Sequence, residues 1–263
     1  MLTAQTLALA MALTAPLPPG QAGNLRPVFS DDFSHFVSAA TGRLDGRAVW
    51  QSEFKPGLRT LGNNHEAEWY EDAGPHGPFS TQGGGLTITA RPASHLPQGM
   101  SYSSGLITTR QSFSQTYGYF AICAQLPHGA GMWPAFWLLP ADGSWPPEID
   151  VMEMLGNDPT DYYASVHAAG LDKVTKIPAP DLSAGFHVFA VSWRPDKIRY
   201  YLDGVQVNEV NTQADMHKPM YMLANLAVGG PGSWPGPADG ETGRYKIAWI
   251  KAWQFRDLPA PRP

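Results

Sequence analysis

Short runs of alternating apolar and polar side chains dominate the chain. Leu86–Ala90 (LTITA) and Phe186–Trp193 (FHVFAVSW) keep a period of two, as strands with one buried face do. Lys197–Val210 (KIRYYLDGVQVNEV) holds two such runs joined at Asp203-Gly204, a dipeptide that tolerates the positive φ of a tight hairpin turn. Tyr221–Val228 (YMLANLAV) and Tyr245–Phe255 (YKIAWIKAWQF) extend the series. Clusters rich in Gly, Pro, Asn and Asp, such as EDAGPHGP, LPHGAG and GGPGSWPGPADG, separate the runs. No segment of useful length has a helical period, and neither a repeat nor a linker interrupts the body. The pattern predicts an all-β, single-domain sandwich of antiparallel sheets.

Composition narrows the partners. The 263 residues are 43% hydrophobic, 11% aromatic and only 16% charged, with a formal net charge of -5. No run of Lys or Arg offers a footprint for nucleic acid, so an uncharged partner fits better than a polyanion. The single cysteine, Cys123, excludes an intrachain disulfide and reads as a buried, inert thiol inside Tyr117–Leu126. Residues 1–22 read as a leader whose apolar run is too short to span a bilayer, with Gly20 and Ala22 framing a cleavage site. No basic residue precedes Arg26, so the leader lacks the usual charged start; a secreted or periplasmic location is nevertheless expected. The folded body is placed at 23–257 and a proline-rich tail at 258–263.

The candidate chemistry lies in Glu148–Glu153, EIDVME. On a strand Glu148 and Asp150 share one face, Ile149 and Val151 face a core, and Glu153 falls one residue out of phase. Acids on a solvated face would merely repel one another, but here the flanks MWPAFWLLP and MLGN are apolar or aromatic. Carboxylates crowded among tryptophans carry a desolvation cost that points to function. A one-residue β-bulge would return Glu153 to the face of the other two. The glutamates would then stand roughly 13 Å apart at Cα. Inward-leaning side chains could bring the carboxyls to about 5–5.5 Å, the separation found in retaining glycosidases.

EIDVME matches the E-[IL]-D-x-x-E signature of glycoside hydrolase family 16 in its bulged, laminarinase-like form. YGYFAICAQLP, GMWPAFWLLP, FHVFAVSWRPDKIRYYLDG and MYMLANLAVGGPGSWPG resemble further strands of that family, over about residues 29–255. The resemblance implies a β-jelly-roll of two bent sheets with a concave substrate cleft. It also implies Glu148 as nucleophile, Glu153 as acid/base and Asp150 as assisting carboxylate. An endo-acting retaining β-glucanase for β-1,3- or mixed β-1,3/1,4-glucan, or a related bacterial exopolysaccharide, is the expected function. A galactanase of agarase or carrageenase type, a transglycosylase and a noncatalytic glucan-binding module are the alternatives.

A sugar cleft needs flat aromatic faces and polar fingers. Trp133 and Trp145 flank the acids and are expected in the cleft; Trp234, in a Gly/Pro loop, suits its edge. Trp137 alternates with Ala135 and Leu139 and is open to a core reading. By the same resemblance His167 would stand beside the acid/base, and Asn64 would be the polar finger at the glycone end, with Asn63 the other register. The string HEAE (His65–Glu68) lacks the second histidine of a zinc site. Two departures follow. Ala248 occupies the position aligned with a family calcium ligand, so no metal or other cofactor is expected. Leu106 stands where lichenase-like relatives tend to carry a sugar-contacting Glu. The expected partner is a polysaccharide, bound by a monomer without nucleic acid or membrane.

Overall fold

The computed structural model describes residues 17–18, 21–39, 43–44 and 47–258. Nearly all of the expected leader and tail lies outside the described residues.

Two sheets form the fold. The larger has ten strands. Its path runs Val205–Asn211, Lys197–Leu202, His187–Trp193, Gly118–Gln125, Gly243–Phe255, Leu86–Pro92, Tyr102–Ser104, Glu68–Tyr70. Leu25–Asp31 and Phe79–Ser80 pair off that path. The smaller sheet has six strands in the order Leu171–Pro178, Asp161–Ala168, Glu148–Glu153, Met132–Pro140, Met220–Val228, Leu106–Thr108. Strand pairs are antiparallel apart from Glu68–Tyr70, which runs parallel to Tyr102–Ser104. The hairpin turns at Asp203-Gly204 as expected. Leu202 pairs with Val205, and φ is 49° at Asp203 and 81° at Gly204, the doubly positive pattern that matches strand twist.

The inward faces of both sheets fill one core, in which Phe120, Ile122, Phe189 and Val191 meet Phe136, Leu138, Ile149 and Met222. A second apolar cluster covers the far face of the larger sheet, built from Tyr119, Ala121, Cys123, Val188, Ala190 and Trp249. Gly118–Gln125 is thereby buried on both faces, and burial pushes the Cys123 thiol up to about 12, leaving it inert. A third cluster lies on the outer face of the smaller sheet, where Phe54 and Tyr70 cover Leu106, Ala135, Trp137, Tyr221 and Leu223. Only part of that face is roofed. The acids occupy the rest.

Candidate active site

The bulge is visible in both ladders of the acid strand. Ala135 pairs with Glu153 and Phe136 with Met152, but Trp137 pairs with Asp150, so Val151 is the extra residue. On the other side Asp150 faces Ser165 and Glu153 faces Tyr163, again two residues where regular pairing allows one. Val151 and Met152 both point into the inter-sheet core, at 1% and 0% exposure. Glu153 is thereby turned out to the face of Glu148 and Asp150.

The three carboxyls have distinct surroundings. Half-buried Glu148 accepts a 2.6 Å hydrogen bond on Oε2 from the Trp145 indole N–H. Asp150 is 2% exposed; burial first, and then the charges of Glu148 and Glu153, push its pKa well above the usual carboxylate range. It therefore holds a proton and donates it to Glu148. Glu153 is raised to about 8, chiefly by burial and next by the charge of Glu148. The Trp133 indole N–H, 2.9 Å from Glu153 Oε1, works in the opposite direction. One strand thus carries a glutamate bound by two donors and another held protonated at neutral pH, an arrangement suited to nucleophile and acid.

His167 pairs with Glu148 across the neighbouring strand, so it stands at the Glu148 end and not beside Glu153 as expected; Tyr163 faces Glu153 instead. The Nε2 of His167 lies 3.2 Å from Asp150 Oδ2, close but poorly aligned for a hydrogen bond, while Nδ1 is 2.6 Å from Asp172 Oδ1. Glu148, Asp150 and His167 place one ligand atom each within 4.8 Å of one another, so the same donors could hold a small cation.

Aromatic side chains border the acids at both ends. Trp145 is 67% exposed beside Glu148. At the Glu153 end, Trp234 is 43% exposed and meets Trp133 edge-on at 5.5 Å and Tyr163 at 4.6 Å. The Trp234 loop folds back so tightly that a Cβ on Gly229 would lie 2.1 Å from the Gly236 carbonyl oxygen. Trp137 stands on the acid face rather than in the inter-sheet core. It is nonetheless roofed, packing edge-on against Phe54 and donating its indole N–H to Asn225 Oδ1 at 2.7 Å. Asn64 is exposed and its amide donates to Glu66 Oε1 at 3.0 Å, which ties Asn64, and not Asn63, to the site's acid network.

Sequence reasoning missed Tyr163 and Asp172. Tyr163 alternates with Ser165 and His167, so the strand period alone could have placed it. Asp172 faces His167 across the Ala168–Leu171 hairpin and was legible once that turn was recognised.

Comparison with known proteins gives one family. The model described as Glycosyl hydrolases family 16 matches residues 65–251. The endo-1,3-1,4-beta-glycanase ExsH of Rhizobium meliloti is 44% identical over 248 residues, covering 88% of this chain and 52% of the relative. The chain therefore spans about half the length of the curated relatives that it matches first. A beta-glucanase of Rhodothermus marinus is 33% identical, covering 72% of this chain and 77% of the relative. Among solved structures, the laminarinase catalytic domain of Thermotoga maritima superposes with a TM-score of 0.76 at 28% identity, covering 90% of this chain and all of that one (100%).

Proposed function

Because the chain belongs to glycosyl hydrolase family 16, we propose that it is an endo-acting retaining β-glucanase for β-1,3- or mixed β-1,3/1,4-linked glucan. The observation that carries this reading is the bulge, which turns Glu153 to face outward with Glu148 while leaving the two in unlike environments.

In the first step a Glu148 carboxylate oxygen attacks the anomeric carbon as its bond to the glycosidic oxygen breaks, and the Glu153 proton passes to that leaving oxygen. In the second, Glu153, now a carboxylate, takes a proton from water. The water oxygen attacks the anomeric carbon and frees Glu148. Two inversions give net retention. Protonated Asp150 and Trp145 hold Glu148 by hydrogen bonds, and Trp133 holds Glu153. Trp234, Trp145 and Trp133 supply the apolar faces for sugar rings, with Asn64 and His167 as polar contacts.

The reading includes action as a secreted or periplasmic monomer without a metal. Among the described residues no helix is long and apolar enough to cross a membrane. Dialysis against a chelator should leave the rate on glucan within about twofold, since the chemistry above uses protons alone; a rate that collapses and returns with added calcium contradicts it. The galactanase and binding-module alternatives are not favoured: two of the similar relatives are named endo-1,3-1,4-beta-glycanases and a third a beta-glucanase.

The test is product analysis on laminarin and lichenan, with proton NMR of the first anomer released. Short β-configured oligosaccharides are expected; α-configured products or no cleavage would contradict the proposal. Trp145→Phe keeps the ring and deletes the N–H donated to Glu148, and should lower kcat about tenfold with little change in KM. Steady-state kinetics on laminarin decide between that and a pure KM effect, which would make Trp145 only a sugar platform.

A further inference from the structure

Two acids outside the acid strand are buried beside the cleft. Glu66 is 8% exposed and Glu68 is 0%. Glu66 bridges to Gly229 at the root of the Trp234 loop, and its charge is felt by Glu153. Its Oε2 accepts the Leu61 N–H at 2.9 Å and its Oε1 accepts the Asn64 amide at 3.0 Å. Glu68 Oε2 accepts the Val228 N–H at 2.8 Å, while Oε1 is buried with no N–H or O–H directed at it. Among the described residues no salt bridge reaches the pair: Arg59, the basic side chain of this loop, is engaged with Glu53 and Asp72.

Two buried carboxylates in contact cannot both be ionised. Burial first, and then the charge of Glu66, drive the Glu68 pKa well upward, while burial raises Glu66, which the Asn64 and Leu61 donors offset in part. Glu68, the deeper of the two, therefore carries the proton and donates it through the otherwise empty oxygen. Glu66 is left as a carboxylate receiving three donors: Leu61, Asn64 and Glu68. An acceptor-only group facing Asn64 fixes which way that carboxamide points.

We propose that Glu66, held acceptor-only by the proton on Glu68, is a positioning residue that locks the Asn64 amide with Nδ2 inward and Oδ1 toward the cleft, where it accepts a sugar hydroxyl. The inference rests on the glucanase reading for the sugar and on the geometry for the lock. A glutamine at position 66 must turn its own NH2 against one of the inward-facing donors. A glutamine at position 68 can still donate to Glu66 and accept from Val228, whereas alanine can do neither.

The experiment is kinetics on soluble laminarin for E66Q, E68Q, E68A and N64A, singly and as E66Q/N64A. E66Q and E68A should raise KM about tenfold, with kcat changed less than about threefold. E68Q should restore the KM that E68A loses, and E66Q should add nothing in the N64A background. Additive effects in the double variant, or an E68Q as impaired as E68A, overturn the proposal. Infrared difference spectra at pH 7 between wild type and E68Q supply a readout free of substrate. A neutral carboxyl band lost in the difference spectrum supports the shared proton, and a difference spectrum without one refutes it. A wild-type protein that cleaves no glucan would defeat the functional reading while the spectra still judged the pair.

Discussion

Glu148→Ala is expected to reduce cleavage of laminarin by at least about ten-thousandfold, the scale on which losing a covalent nucleophile registers. The loss should be chemical and not structural. Glu148 contributes a charge that raises both Asp150 and Glu153, so deleting it relieves repulsion beneath the cleft. The melting temperature should hold or rise. The missing side chain also leaves room for a small anion on the nucleophile's side of the sugar. Added azide should therefore restore turnover of an activated aryl β-glucoside and yield a glycosyl azide of α configuration. Rescue with a β-configured azide product, or substantial activity on laminarin without azide, would remove Glu148 from the nucleophile's place.

Glu153→Gln is the second large effect. Protonation of the leaving oxygen is worth about a hundredfold to ten-thousandfold, so glucan cleavage should fall by roughly a thousandfold or more. An aryl glycoside with a good leaving group needs no proton, and its first step should survive as a burst of released phenol. The pH profile provides the sharper check. With Glu153 as the proposed acid, the alkaline limb of kcat/KM should fall near pH 8 in the free protein. That limb should vanish for the burst in E153Q. The same group links acidity to folding. Its pKa is higher folded than unfolded, so the folded state binds the proton more tightly. Its stabilising contribution is complete below the unfolded value and is lost as pH rises to about 8. Thermal melts between pH 5 and 9, about the range over which the group ionises, should slope less for E153Q than for wild type.

How far the sequence reached depends on how local each feature is. The bulge was legible because a single carboxylate broke a period of two, and strand pairing leaves few ways to mend that. Hairpins and outer strands were legible for the same reason. Gly118–Gln125 was harder, because a strand buried on both faces loses the alternation that announces which side is the core. Trp137 was ambiguous for a related reason: it belongs to the acid face, but residues from Phe54 to Tyr70 come across to roof it. The chain from Trp137 through Asn225 to Tyr70 joins three segments far apart in sequence, with Asn225 donating to the Tyr70 hydroxyl at 2.9 Å. The Glu66 and Glu68 pair was hidden differently. Its string was read for metal ligation and set aside, and nothing in HEAE says that both acids turn inward.

Where the acid strand carries its surplus residue, two successive side chains, Val151 and Met152, are driven into the hydrophobic interior. The gap between Glu148 and Glu153 is therefore gauged from behind the sheet, by how those two side chains seat among their neighbours. The interior is thus part of the ruler that spaces the two carboxyls.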